Sequence, residues 1–153
     1  MNQLVSVIVI TYNSSKYILE TLESIKDQTY QNIELIVSDD SSKDDTLEIC
    51  KNWLNKNKDR FVHFKIITVP ENTGIPANCN RGIMEAKGEW IKIIAGDDIL
   101  LEKNIESNLK FNLNGDSMLS FSDMIYFNSS GIVGSGLGFN QKRFFNANAK
   151  KLY

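Results

Sequence analysis

Two Asp-Asp pairs, Asp39-Asp40 and Asp97-Asp98, and the tripeptide Thr11-Tyr12-Asn13 each close an apolar run of this sequence. Carboxylates are hard oxygen donors, suited to a divalent cation that also takes phosphate oxygens. They also accept hydrogen bonds from ribose hydroxyls or from the ring N–H of a base. Four acids beside a tyrosine and an asparagine repel one another until a cation joins them. Brought together, these residues describe a site for a nucleoside diphosphate with a bridging metal. The plainer reading is turn chemistry, because Asp caps helices and tolerates turns. One pair alone is more often structural; two pairs at equivalent positions favour a site.

Phosphate-cradling loops are missing. Neither G-x-G-x-x-G nor G-x-x-x-x-G-K-[ST] comes after the first apolar run, which argues against a dinucleotide-binding domain and a P-loop nucleotidase. A metal is then the natural counterion for a pyrophosphate. Cys50, Cys79 and the single His63 cannot supply a zinc cluster. Cys50 reads as a core thiol, and His63 as a solvent-facing strand residue.

The elements that must position these groups are read from periodicity. Leu4 to Ile10 and Ile33 to Ser38 are β-branched, nearly continuous apolar runs, the mark of strands buried on both faces. Val62 to Val69 and Glu89 to Ala95 read as two more. Between them lie amphipathic helices. The first carries Ile18, Leu19, Leu22 and Ile25 on one stripe, with Ser14 or Ser15 as its cap. The second carries Leu47, Ile49, Cys50, Trp53 and Leu54, with Asp44 and Asp45 at its start. The third has Pro76 in its first turn, runs through Met84 to Ala86 and stops at Gly88. Leu101 to Leu113 is a fourth. Ser117 to Phe127 is strand-like, Ser129 to Gly131 a turn, and Ile132-Val133 a short strand. Strands alternating with helices predict an α/β domain with a mainly parallel sheet. Right-handed crossovers put all strand C-terminal ends on one edge, where ligands bind.

With 153 residues, 42% of them apolar, the chain suffices for one compact domain. Its 17 basic and 19 acidic residues disfavour nucleic acid as a general partner. All the acids lie at or before Asp123; beyond it come Lys142, Arg143, Lys150 and Lys151. No secretory signal, bilayer-length apolar run or lipidation motif is visible. The expectation is a cytoplasmic protein, with a possible peripheral contact at the inner face of the membrane. The terminal Lys150-Lys151 is more in keeping with a solvated end. Nothing in the sequence specifies an oligomer.

The segment Val5 to Asn13 closely resembles the first strand of family 2 glycosyltransferases. Ser24-Ile25 through Gln28-Thr29-Tyr30, Ile33 through Ser42, and Asp45-Thr46 continue the likeness. So do Asn72-Thr73-Gly74, Asn80 with Gly82, and Gly88-Glu89-Trp90-Ile91 leading to Gly96-Asp97-Asp98. The likeness covers about Leu4 to Phe127. It implies a GT-A fold, with residues 1–127 as the nucleotide-sugar-binding core and 128–153 as an incomplete or irregular extension of the same domain.

The resemblance further implies transfer from a nucleoside-diphosphate sugar, commonly UDP-linked, to a glycan or lipid-linked hydroxyl acceptor, with inversion. By position, Thr11, Tyr12 and Asn13 line the nucleotide, with Tyr12 flanking the base. Asp40 accepts a hydrogen bond from the base, Asp97 approaches the ribose or donor sugar, and Asp98 binds Mn²⁺ or Mg²⁺. Two departures stand out: Cys79 where members often have Arg, and Ala95 where many have an acid. Arg81, two positions after Cys79, is expected to face elsewhere on its helix. An inverting transferase needs a carboxylate base, and in the family it lies well downstream. Asp123 is a weak candidate, so the chain reads as a donor-binding part cut before its acceptor side. The rival readings are a nucleotide-binding module without catalysis and a receiver-like domain with an acidic pocket. The latter lacks a strand-one Asp and a suitably placed Lys.

Overall fold

The computed structural model describes residues 2–113, 122, 124–128 and 130–136. Its elements are β1 (Val5–Thr11), α1 (Ile18–Lys26), β2 (Ile33–Asp39), α2 (Thr46–Asn57), β3 (His63–Thr68), α3 (Ile75–Glu85), β4 (Trp90–Ala95), α4 (Asn104–Leu113), β5 (Met124–Asn128) and β6 (Gly131–Gly136). The chain divides into a unit of residues 1–106 and a unit of residues 107–153.

In the first unit β3, β2, β1 and β4 pair in that order, all parallel. The register sets Thr11 opposite Asp39, Asp39 opposite Thr68, and Ile10 opposite Ala95. The strands therefore finish nearly level. β1 and β2 are central, and their apolar residues Val7, Ile8, Val9, Leu35, Ile36 and Val37 are buried, as expected of strands covered on both faces. α1 and α2 pack side by side, and α3 lies on β1 and β2. A Cβ on Gly82 would stand 2.3 Å from Ile8 Cγ2, so only glycine lets α3 approach this closely.

The opposite end of the sheet is held by a buried carboxylate. Glu34 Oε1 accepts hydrogen bonds from Ser6 Oγ and from the amides of Lys87 and Gly88. A Cβ at Gly88 would meet the Ser6 backbone N at 2.6 Å and Leu4 O at 2.8 Å. α3 ends at Glu85, earlier than the glycine stop suggests: the Ala86 amide bonds Ile83 O, and the Lys87 and Gly88 amides turn to Glu34 instead of continuing the helix. Arg60, after α2, donates to the carbonyls of Lys26, Gln28, Tyr30 and Gln31. Buried Gln28 bonds Ser24 O, Leu101 O and the Ile105 amide. Together they pin the turn between α1 and β2.

Other local expectations change. α1 has no side-chain cap; its first amides bond Ser14 O instead. The Ser14 and Ser15 amides are themselves held by Thr46 and Asp44, which fixes the serines in a loop. Leu19 is 48% exposed and leaves the buried stripe of Ile18, Leu22 and Ile25. α4 starts at Asn104, whose amide bonds Leu101 O. In the second unit β5 pairs antiparallel with β6, with an irregularity between Tyr126 and Phe127. Asn128 pairs with Gly131, which takes φ 115°.

Candidate functional site

The C-terminal ends of β1, β2 and β4 bring the sequence candidates to one edge of the sheet. After β1 and β2 the chain enters two loops that are stitched together. The Asn13 amide bonds Ser42 Oγ at 2.8 Å, and Asn13 Oδ1 accepts from the Lys43 amide at 2.8 Å. The Ser14 amide bonds Thr46 Oγ1 at 2.8 Å, and the Ser15 amide bonds Asp44 Oδ2 at 3.0 Å. Burial pushes the Asp44 carboxyl up, but hydrogen bonds from Thr46 and Ser15 outweigh it and hold its pKa at about 2. Asn13 and Ser41 take left-handed backbone angles, φ 51° and 67°. Such angles are uncommon outside glycine and gather where surroundings over-determine the chain. The result is a fixed platform from which Tyr12 projects, 48% exposed.

Asp39 and Asp40 are buried, which changes the expectation of four open carboxylates around one crevice. Asp39 accepts from the amide and hydroxyl of Ser42 and from Thr68 Oγ1. Asp40 binds across the sheet edge. Its Oδ1 accepts from Thr73 Oγ1 at 2.8 Å and Arg81 Nη2 at 2.6 Å, and its Oδ2 from the Gly74 amide at 2.7 Å. The Thr73 amide is shared between both oxygens at 3.1 and 3.0 Å. Asp40 thus sits as an anion at the N-terminus of α3, where free amides and the helix dipole favour negative charge. Gly74, at φ 86°, is the N-cap that shapes this cradle. Burial raises the Asp40 pKa, yet the bonds from Thr73, Arg81 and Gly74 prevail and hold the carboxyl below the ordinary range.

Asp97 and Asp98 differ. Both are exposed. Gly96 makes their turn possible: its amide bonds Ile10 O at 2.9 Å, and a Cβ there would press on Thr11 Oγ1 at 2.9 Å. Partial burial first, then the neighbouring Asp97 charge, raise the Asp98 pKa, while Lys92 opposes the rise. An acid that resists ionisation beside a second acid is relieved by a cation. No cluster of three or more His, Cys, Asp or Glu side chains occurs among the described residues. A hard divalent ion here would take Asp98 as its protein anchor and complete its shell with ligand phosphate oxygens and water, and the two open carboxylates fit that donor set.

Thr11 is buried, and its carbonyl takes the Asp40 amide at 2.9 Å and Asn78 Nδ2 at 3.3 Å. It therefore acts as a strut beneath Tyr12. Asp123 lies outside the described residues. Arg81, Asn78 and Thr73 join the site although sequence reasoning does not select them. Arg81 turns towards Asp40, a contact that the sequence reading does not specify. Helical side chains lean towards the helix N-terminus, and that lean carries the guanidinium to the start of α3, where β2 ends. The same rule makes the contact readable in principle once the helix is placed beside β2.

The acidic, tyrosine-flanked edge lies beyond the strand ends of a parallel α/β sheet, where such folds bind ligands, nucleotides among them. Comparison with known proteins narrows this. The family described as glycosyl transferase family 2 matches residues 6–146, and the chain belongs to that family. It is 45% identical over 109 residues to glycosyltransferase GlyG of Streptococcus pneumoniae serotype 4, covering 70% of this chain and 34% of that protein. It is 38% identical over 111 residues to an Escherichia coli protein named UDP-Glc:alpha-D-GlcNAc-diphosphoundecaprenol beta-1,3-glucosyltransferase WfaP, covering 71% of this chain and 41% of that one. The crystal structure of S. aureus TarS 1–349 in complex with UDP superposes with a TM-score of 0.64 at 33% identity, covering 72% of this chain and 32% of that chain. The fold is that of GT-A glycosyltransferases. The chain thus spans well under half of these proteins' length.

Proposed function

We propose that this chain forms the donor-binding part of an enzyme that moves a sugar from a nucleoside-diphosphate sugar, UDP-linked, to a hydroxyl of a glycan or lipid-linked acceptor, with inversion. The observation that carries the reading is the open Asp97-Asp98 pair at the end of β4, level with exposed Tyr12 at the end of β1. Family membership supports sugar transfer, and the UDP-bound TarS neighbour supports a uridine nucleotide. The name of WfaP supports a lipid-linked acceptor, and hence work at the inner face of a membrane. No helix among the described residues is long and apolar enough to cross one.

In this reading Tyr12 flanks the base, Asn13 fixes the Tyr12 loop, and Asp97 faces the ribose or donor sugar. Asp98 holds Mn²⁺ or Mg²⁺, which when bound neutralises the diphosphate and eases its departure as a Lewis acid. Asp40 already occupies the Thr73 and Gly74 amides that cap α3. The acceptor hydroxyl needs a carboxylate base from beyond this site.

Isothermal calorimetry of the chain with UDP, in Mn²⁺ or Mg²⁺ and again in excess chelator, tests the reading. Binding that weakens about tenfold or more in chelator, ~1.4 kcal/mol, is the expected result. Equal affinity in both removes the metal bridge. No UDP binding in either overturns the nucleotide site. Measuring UDP release from UDP-sugars separates a transferase from a module that only binds.

A further inference from the structure

β4 carries one cation, Lys92, among apolar side chains. Its place follows from the alternation of side chains along a strand. Ile8 on β1 meets α3 at Gly82, so Val7 and Thr11 point to the other face. That face is the α1 side: a Cβ on Gly96 would stand 2.9 Å from Thr11 Oγ1 and 3.1 Å from Ile18 Cδ1 of α1. Lys92 pairs in register with Val7, and Ile94 with Val9, so both share this face. Val7, Val9, Ile94, Ile18 and Leu22 are buried. Lys92 is half-buried beside them. Unlike Lys26, Lys65 and Arg81, it forms no hydrogen bond or ion pair among the described residues. A charge drawn out of water without a partner is costly, so this position calls for a counter-charge nearby.

The chain supplies one by doubling back. After β4 the Asp98 amide bonds Ala95 O at 3.1 Å and closes the turn. The segment then runs back along α1: the Leu100 amide bonds Ser24 Oγ at 3.1 Å, and Leu101 O accepts from Gln28 Nε2 at 2.9 Å. Asp98 thus opens a return path over the face on which Lys92 stands. Lys92 precedes Ala95 by about 10 Å of strand, a gap that its long side chain narrows. The two charges act on each other. Burial lowers the Lys92 pKa, and the Asp98 charge opposes that fall. The Lys92 charge in turn opposes the rise that burial and Asp97 impose on Asp98.

We propose that Lys92 is a positioning residue that acts through Asp98: its ammonium competes with a divalent ion for that carboxylate, so that a bare ion is held weakly and a metal–diphosphate complex, which brings its own negative charge, is held well. This rests on the nucleotide reading above, with Asp98 as the anchor. Asp97 adds a negative charge that favours any cation; Lys92 supplies the discrimination between a bare ion and one that arrives with its nucleotide. A neutral side chain at this position then holds the bare ion more tightly and metal-bound UDP no more tightly. A purely structural role would weaken both.

The test measures two affinities of the whole chain. Binding of Mn²⁺ alone is followed through the electron paramagnetic resonance signal of the free ion, and binding of UDP in saturating Mn²⁺ by calorimetry. The samples are wild type, Lys92→Met, Lys92→Gln, Lys92→Arg, Asp98→Asn and the double variant of Lys92→Met with Asp98→Asn, each with a thermal melt. Lys92→Met and Lys92→Gln should bind Mn²⁺ about threefold or more tighter than wild type, with UDP affinity equal or weaker. Lys92→Arg keeps the charge and should stay within about twofold of wild type for Mn²⁺. On top of Asp98→Asn, Lys92→Met should change Mn²⁺ affinity by less than about twofold. Unchanged or weaker Mn²⁺ binding in the neutral variants overturns the proposal. So does equal tightening of Mn²⁺ and UDP, or a gain that survives in Asp98→Asn. If Lys92→Met does not fold, Lys92→Gln decides. Metal-dependent UDP binding that is indifferent to Lys92 defeats the proposal alone. Absence of both Mn²⁺ and UDP binding from wild type and the Lys92 variants defeats the nucleotide reading, and the proposal with it.

Discussion

Asp39-Asp40 and Asp97-Asp98 are the same dipeptide at the ends of two strands of one parallel sheet, yet they occupy opposite environments. The first pair is buried and fully engaged by Ser42, Thr68, Thr73, Gly74 and Arg81. The second is exposed, and partial burial and mutual repulsion raise the Asp98 pKa. One pair organises loops; the other faces outward with capacity to spare. Strand topology alone makes these positions equivalent. The difference comes from the segment that leaves each strand. After β2 the chain passes under the N-terminus of α3, whose amides seek an anion. After β4 it turns at Gly96 into open surface.

The largest expected effect that would break this comparison is on stability. Asp40→Ala leaves Arg81 and two amides without their buried anion, so urea denaturation should show a loss of about 3 kcal/mol. Asp98→Ala, at an exposed position, should change stability by less than about 0.5 kcal/mol. Equal losses would mean that the two pairs are not differentiated.

Ligand binding should rank the pairs the other way. Asp98→Asn should remove most of the chelator-sensitive part of UDP binding, about tenfold or more. Asp39→Asn should leave the ratio of affinities with and without chelator within about threefold of wild type. A matched loss of metal dependence in both would count against Asp98 as the anchor.

The smallest effect is in the acid limb of stability, and its sign differs between the pairs. The lowered pKa values of Asp40 and of Asp44, the latter about 2, give stability that is complete above the unfolded carboxyl range. It is lost as pH falls from about 4 towards about 2. The raised pKa of Asp98 acts in reverse: its contribution is present at low pH and fades as pH rises through that pKa. Thermal melts between pH 5 and pH 2.5 should therefore show a shallower fall for Asp44→Asn than for wild type, by about a few degrees. Asp98→Asn should not flatten the curve. A flattened curve for Asp98→Asn would reverse the assignment of environments.

Much of this architecture is legible in the sequence. The β-branched runs at Val5 to Ile10 and Ile33 to Val37 require strands covered on both faces, and their parallel pairing is a consequence of the helices between them. Local chemistry is less legible. Ser14 and Ser15 have the composition of a helix cap, but their amides serve a tie to Asp44 and Thr46 some thirty residues away. Gly88 has the position of a helix stop. Its reason is the close passage of Ser6 and Leu4 backbone, together with Glu34, which no local pattern contains.

Sequence by itself determined the alternation of strands and helices, the parallel sheet and the collection of Thr11, Tyr12, Asn13 and both acidic pairs on one edge. Hydrophobic period and crossover handedness are local or topological properties, so they survive in a one-dimensional reading. Tertiary structure alone decided which carboxylates are open. That choice depends on the 73–74 amides and on Arg81, which reach Asp40 from 33 to 41 residues away. A carboxylate's burial and charge state are set by the donors that surround it in space, and chain separation carries no record of them.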